Sequence, residues 1–269
     1  MSDGDLIKRF YRSFDEEGRL KTPIGQLEFT RSCQIIDRFL TPNAVVLDVG
    51  GATGPYSFWL AAQNHIVHLV DLVPEHIETA TRFQSQTDAR LASISVGDAR
   101  DLQYEDESVD ILLLFGPLYH LHEFDDRALA LKEAHRVLRK GGKILGAFIH
   151  RYASLFDGMI SGWISDQNFI PILLADLEDG QHRNMTDNPF YFTSTKFHLP
   201  EEIHEEVRGA GFLNPINIPV EGPLWMAKDF QELWKNQKDL VLELTQQLEG
   251  EKRLWSSSPH LIIVGTKPD

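Results

Sequence analysis

The chain has 269 residues, 42% hydrophobic and 25% charged, a globular composition with room for one elaborated domain or two small ones. Lys+Arg 26 against Asp+Glu 40 leaves a net charge of −14, which argues against a nucleic-acid surface, and the single cysteine, Cys33, excludes an internal disulfide or a cysteine-based zinc cluster. The first residues are acidic without a signal-peptide core and no stretch is apolar enough to span a membrane, so a cytoplasmic location is expected.

Ile7, Phe10, Tyr11 and Phe14 fall at i, i+3, i+4 and i+7, a helical stripe that packs on the domain or covers a ligand with the Tyr11 hydroxyl as its polar tip. A second helical pattern over 27–40 ends at Thr41-Pro42-Asn43, so residues 1–43 read as N-terminal helices covering the site. The rest of the chain is organised around 44–60. Val45-Val46-Leu47-Asp48-Val49 has the short β-branched character of a buried parallel strand. Gly50-Gly51-Ala52-Thr53-Gly54 then turns, its small residues permitting unusual dihedrals and close approach of a ligand. Pro55 stands at a first helical position ahead of a helix over 56–63. Strand, glycine-rich turn and helix make half of a nucleotide-binding βαβ unit, though such turns also arise for steric reasons alone.

Residues 65–71 form the second strand, ending in Asp71-Leu72. Asp71 lies 21 positions after Gly50, where a carboxylate would grip a ribose diol. A helix over 75–84 and a strand over 91–97 follow, and the latter ends Gly97-Asp98-Ala99, where Asp98 is a turn residue or reaches an adenine amino group. Residues 108–115 are nearly all apolar, as in a central strand buried on both faces. Beyond its carboxyl end, Phe115-Gly116-Pro117-Leu118-Tyr119-His120-Leu121-His122 is placed to face a ligand. A helix capped by Asp125 or Asp126 and ending at Arg139-Lys140-Gly141-Gly142 leads to a fifth strand over 143–149, closing on His150-Arg151.

In order and spacing, Leu47-Asp48-Val49-Gly50-x-Ala52-x-Gly54, Asp71, Gly97-Asp98-Ala99, Asp110-Ile111-Leu112-Leu113 and Arg136-Val137-Leu138-x-x-Gly141-Gly142 resemble the class I S-adenosylmethionine-dependent methyltransferases. The resemblance covers about 44–150, with a weaker tail in which 198–211 reads as helix, 214–220 as strand six and 260–267 as strand seven. It implies an α/β fold, a Rossmann-like doubly wound seven-stranded sheet with the last strand antiparallel, and an enzyme of the EC 2.1.1.- type. It further implies S-adenosyl-L-methionine as cofactor and S-adenosyl-L-homocysteine as product. Asp71 would bind the ribose, Asp98-Ala99 the adenine, and the Gly50–Gly54 loop, Thr53 included, would pass beneath the methionine portion, with Asp48 also a candidate cofactor-binding residue. The family's central loop glycine is Ala52 here, which is tolerated if its backbone dihedrals are ordinary.

Residues 151–197 and 223–255 exceed the minimal fold. Both carry amphipathic helical patterns and read as helical lid insertions over a small-molecule pocket, or as extra core or a homodimer surface. In the first, Gln181-His182-Arg183-Asn184 and the aromatic run around Tyr191 are candidate pocket lining, with Arg151 at its start. The domain reading is therefore 1–43, a cofactor-binding core over 44–150, a lid over 151–197, and completion of the sheet over 198–269. The expected activity is methyl transfer to a small molecule by in-line displacement, with no metal, no nucleic acid and no membrane. The candidate catalytic residues are His120, or Tyr119 in its place, and His150, with His122 and His182 as further candidate bases. The alternatives are a cofactor-binding protein without transfer activity, or a methyltransferase acting on protein or RNA. An NAD fingerprint is absent, because its third glycine would fall at Pro55.

Overall fold

Alternation along the central strands sorts their side chains onto two faces, and a helical layer covers each. The computed structural model describes residues 16–186 and 188–269. The expected helix of Ile7, Phe10, Tyr11 and Phe14 lies outside them. Among the described residues, α1 (Glu16–Lys21) and α2 (Pro23–Asp37) precede β1 (Val45–Val49), α3 (Pro55–Ala61), β2 (Ile66–Asp71), α4 (Pro74–Gln84) and β3 (Ser93–Val96). Then come β4 (Val109–Leu114), the one-turn α5 (Pro117–His120), α6 (Phe124–Val137) and β5 (Leu138–Ile149). The first insertion holds α7 (Ala153–Ser161), α8 (Ile170–Asp179) and a small hairpin of β6 (Gln181–His182) and β7 (Thr195–Lys196). The chain finishes with α9 (Pro200–Gly209), β8 (Leu213–Pro219), α10 (Phe230–Leu248) and β9 (His260–Thr266).

The seven-stranded sheet has the order β3-β2-β1-β4-β5-β9-β8. All adjacent pairs from β3 to β5 are parallel, whereas β9 is antiparallel to both β5 and β8, as expected of the last strand. Val46, Ile111 and Leu113 face α2, α3 and α4, packing with Ile35, Ile36, Leu60 and Ile77. Leu47, Leu112 and Leu114 face the opposite layer, with Leu131 and Ala134 of α6 and Ile203 and Val207 of α9. Leu112 and Leu113 are wholly buried, and truncating either to alanine is worth about 2–5 kcal/mol.

Two boundaries differ from the sequence reading. α6 starts at Phe124 after Glu123 rather than at an Asp125 or Asp126 cap, leaving both aspartates in the first turn, where they favour the helix dipole. It also ends at Val137. The Arg139–Gly142 stretch is a bulge in β5, with pairing to β4 jumping from Val109↔Leu138 to Ile111↔Lys143. Gly141 (φ +73°) allows that detour.

The insertions do different jobs. α10 lies along α2: Leu27, Trp225, Phe230, Trp234 and Val241 form one apolar cluster, and the Trp234 indole N–H donates to Gln26 (3.0 Å). Wholly buried Arg31 pairs with Glu249 at 2.7 Å. The first insertion builds its own small core from Phe169, Ile172, Leu173 and Tyr191.

Candidate active site

The carboxyl ends of β1, β2 and β4 meet at one edge of the sheet. β9 runs the other way, so its first residue, His260, comes to that same edge opposite Ile149, the last residue of β5. β8 ends there too, delivering Val220 and Glu221. A cavity of about 310 Å3 is sunk into this edge.

One end of the cavity is built from turns. Gly50 (φ +76°) donates its N–H to the Val70 carbonyl, tying the loop after β1 to β2. A Cβ on Gly50 would lie 2.6 Å from Pro117 Cδ, and one on Gly51 would lie 2.5 Å from Asp48 Oδ2, so only bare backbone fits between the strand ends. Asp71 clamps both neighbouring turns. Its Oδ2 accepts the Ala52 N–H (2.8 Å), and its Oδ1 accepts the Val73 N–H (2.8 Å) and faces His76 Nδ1 (3.1 Å). The carboxylate is 6% exposed, all but submerged, yet it lines the cavity, where its remaining lone pairs can accept from vicinal hydroxyls. Gly51, Leu72, Asp98, Ala99, Phe115 and Gly116 continue the same wall. Arg100 grips Asp98 (2.6 Å) and Asp126 (3.0 Å) and so fixes the far rim. Glycine turns that bring bare backbone to the wall, followed by a buried carboxylate, suit the shape and polarity of an adenosyl-type cofactor.

Ala52 does not keep the ordinary dihedrals that the sequence reading asks of it. Its φ is +50°, in the left-handed region, which costs an L-residue roughly 1–2 kcal/mol. The bond from its N–H to Asp71 offsets that strain. Asp48 and Thr53 were expected at the cofactor, but neither lines the cavity. Asp48 is wholly buried beneath the loop and accepts from Ser57 Oγ at 2.7 Å. Burial, and secondarily Asp71, push its carboxyl up to about 7. Gly54 (φ +88°) serves as the turn that starts α3 and also stays off the cavity wall.

The other end is lined by Arg19, Glu28, Ser32, Tyr56, Val220, His260 and Ile262. Tyr56 packs against Phe29 (ring centroids 5.0 Å apart) and edge-on to Phe115 (5.2 Å). Burial, followed by Glu28, raises its phenol well above the usual range and keeps it neutral. Glu28 is ion-paired with Arg19. Burial alone would raise its carboxyl, but Arg19 and His260 outweigh burial and hold it at about 2. Donor atoms of Glu28, Glu221 and His260 all lie within 4.8 Å of one another.

Tyr119 and His120, read from sequence as alternatives, both line the cavity between these ends, and their rings are 4.7 Å apart. Burial lowers His120 to about 4, against a hydrogen bond to the Ser194 backbone. His122 lies beside them with Nδ1 2.9 Å from Gln181 Oε1. Arg127 donates to the Leu121 and His122 carbonyls (2.9 and 2.7 Å) and pins this turn to the fold through Glu206.

Five expected residues stay off the cavity wall, four of them because their polar atoms serve the fold. His150 is buried beyond the end of β5, its Nδ1 accepting the Tyr152 N–H. Arg151 is bound to Glu202 at 2.6 Å. His182 is gripped by Asp176 (2.9 Å) and donates to the Tyr191 carbonyl (2.6 Å). The Tyr191 hydroxyl donates to Asp166 (2.5 Å) and Arg183 is exposed. Among the described residues, none from 151–197 lines the cavity. The first insertion instead supports His120 from behind, through Ser194 and the ring of Phe192 at 6.1 Å.

Comparison with known proteins gives a consistent picture. Residues 47–146 match the family described as methyltransferase domain. A ubiquinone/menaquinone biosynthesis C-methyltransferase of Dinoroseobacter shibae is 32% identical over 112 residues, covering 40% of this chain and 44% of that protein. The chain spans 60%, 38% and 44% of the lengths of the three curated relatives it matches. Among solved structures, a protein from Thermotoga maritima described as a possible histamine N-methyltransferase superposes with a TM-score of 0.61 at 19% identity, covering 99% of this chain and 100% of its own. A phosphoethanolamine N-methyltransferase of Haemonchus contortus, solved with phosphomonomethylethanolamine and S-adenosylhomocysteine, gives 0.59 at 17%, covering 100% and 61%.

Proposed function

We propose that the chain is a class I S-adenosylmethionine-dependent methyltransferase, as the methyltransferase-domain match over 47–146 supports, and that it transfers the methyl group of S-adenosylmethionine to a small molecule held at the Glu28–His260 end of the cavity. The observation that carries this reading is one continuous cavity whose two ends differ in kind. Asp71 and bare loop backbone form one end, and paired charges around an aromatic ring form the other. When bound, the cofactor supplies an electrophilic methyl on a sulfonium, so the protein's task is alignment and exclusion of water. Asp71 and the Gly50–Ala52 backbone fix the adenosyl end. Phe115, Gly116 and Tyr119 border the middle, where the transferring group would pass. Tyr56, neutral and packed between rings, presents an apolar face with a hydroxyl tip to the acceptor. A cavity of about 310 Å3 suits a small acceptor better than a polymer segment. Incubating the protein with cell extract and isotope-labelled methyl donor tests the reading. Label should enter the small-molecule fraction, and label confined to protein or RNA would refute it.

A further inference from the structure

We propose that His260, aligned by Glu221, takes the proton of the methyl acceptor, so that the acceptor's nucleophile is a hydroxyl or amine that still carries hydrogen when it binds. The inference rests on the transfer reading above. It turns on a dyad that lies outside the domain match over 47–146.

His260 Nδ1 donates to Glu221 Oε1 at 2.6 Å. Glu221 is 1% exposed and cannot swing away, because its Oε2 accepts from Ser258 Oγ (2.9 Å) and from the His260 backbone N–H (3.1 Å). Ser258 Oγ is itself held by the N–H groups of Val220, Glu221 and Gly222 at 3.0–3.1 Å. With Nδ1 committed, Nε2 is the nitrogen left to titrate. It has no hydrogen-bond partner among the described residues, and His260 lines the cavity. This is the arrangement of a general base: a ring nitrogen free for substrate, with its partner nitrogen oriented by a fixed carboxylate. The other cavity histidines are less suited. His76 Nδ1 faces Asp71 at the opposite end, burial drives His120 to about 4, and His122 Nδ1 is oriented by the neutral amide of Gln181 rather than by a carboxylate.

In the step itself, the acceptor's lone pair forms the bond to the methyl carbon. The carbon–sulfur pair returns to sulfur, leaving a neutral thioether, and the acceptor's proton passes to Nε2 and then to solvent. The charged groups facing His260 are Glu221 beyond β8, Glu28 on α2 and Arg19 on α1. Burial favours the neutral ring, but the two carboxylates outweigh it and raise His260 to about 9. Transfer is therefore expected to accelerate with pH and to level off above about 9.

The test compares the full chain with His260→Asn, His260→Gln and Glu221→Gln in the labelled-methyl incubation across pH. S-adenosylhomocysteine affinity is measured by calorimetry, and the His260 imidazole is titrated by NMR in the absence of acceptor. Both His260 variants should lose about 10²–10⁴ in labelling rate with cofactor-product affinity intact. Glu221→Gln should move the alkaline limb and the imidazole titration to lower pH together. Wild-type rate and pH profile in the His260 variants would overturn the proposal, as would a Glu221→Gln variant in which neither limb nor resonance moves. Loss of S-adenosylhomocysteine binding in both His260 variants would show a structural role and also overturn it. A wild-type chain that binds S-adenosylhomocysteine but labels nothing would instead refute the transfer reading on which the proposal stands.

Discussion

Asp71 holds two turns together and also faces the cavity, so Asp71→Asn separates folding from ligand binding. The carboxylate accepts the Ala52 and Val73 N–H groups on different oxygens, both at 2.8 Å. An amide keeps one acceptor and turns an NH2 toward the other donor. One buried N–H is then stranded, at a cost of about 1–3 kcal/mol of stability. The cavity-facing lone pairs lose their charge as well. A charge-assisted bond to a ribose hydroxyl is worth roughly 1.5–3 kcal/mol, which converts to a Kd for S-adenosylhomocysteine about 10–150-fold weaker. Urea denaturation of the unliganded protein reads the first effect, and calorimetry with S-adenosylhomocysteine on the folded variant reads the second. Lost stability with wild-type affinity would mean that Asp71 is only a clamp, and the assignment of that end to the ribose would fail.

Ala52→Gly should relieve the strain at φ +50° and leave stability unchanged or up to about 1 kcal/mol higher, since glycine's extra unfolded-state entropy takes back part of the gain; a clear loss in thermal denaturation would contradict the strain argument. Because His260 is raised from 6.5 to about 9, it binds its proton more tightly when folded, and its contribution, on the order of 3 kcal/mol, is fully present below pH 6.5 and lost as pH rises through 9. Unfolding free energies across that window should therefore fall more steeply for wild type than for Glu221→Gln, and parallel curves would refute the linkage. Hydrogen exchange over 151–186 should change little on adding S-adenosylhomocysteine, because none of those residues lines the cavity; strong protection there would restore the lid reading.

The sheet and the Asp71 end of the cavity were legible because their determinants are local. A β-branched run, a glycine turn and a terminal acid occupy consecutive positions, and Asp71, Ala99 and Gly116 each sit at the end of a strand readable by itself. The Glu28–His260 end was not legible in the same way. Glu28 is one polar residue on an amphipathic helix, and nothing local says that it meets His260 across more than two hundred residues. His260 was within reach. An antiparallel final strand must start at the edge where parallel strands finish, so a histidine at its first position belongs at the site. His182 and Tyr191 misled because polar groups among aromatics look alike whether they line a pocket or close a small core. Only their partners, Asp176 and Asp166, decide the matter.

The clasp of α10 on α2 bears on how such a protein diversifies. The walls at the cofactor end come from 49–126, within or close to the shared domain, whereas Glu28, Val220 and His260 belong to flanking segments that α10 fastens together through Trp234 and Glu249. On the proposed reading, cofactor binding and most of the acceptor wall thus fall in separable stretches of chain. Grafting residues 16–43 together with 213–262 onto a related core should carry acceptor preference with them. Grafting either alone should not, because each segment provides one half of a wall that exists only when the clasp is closed.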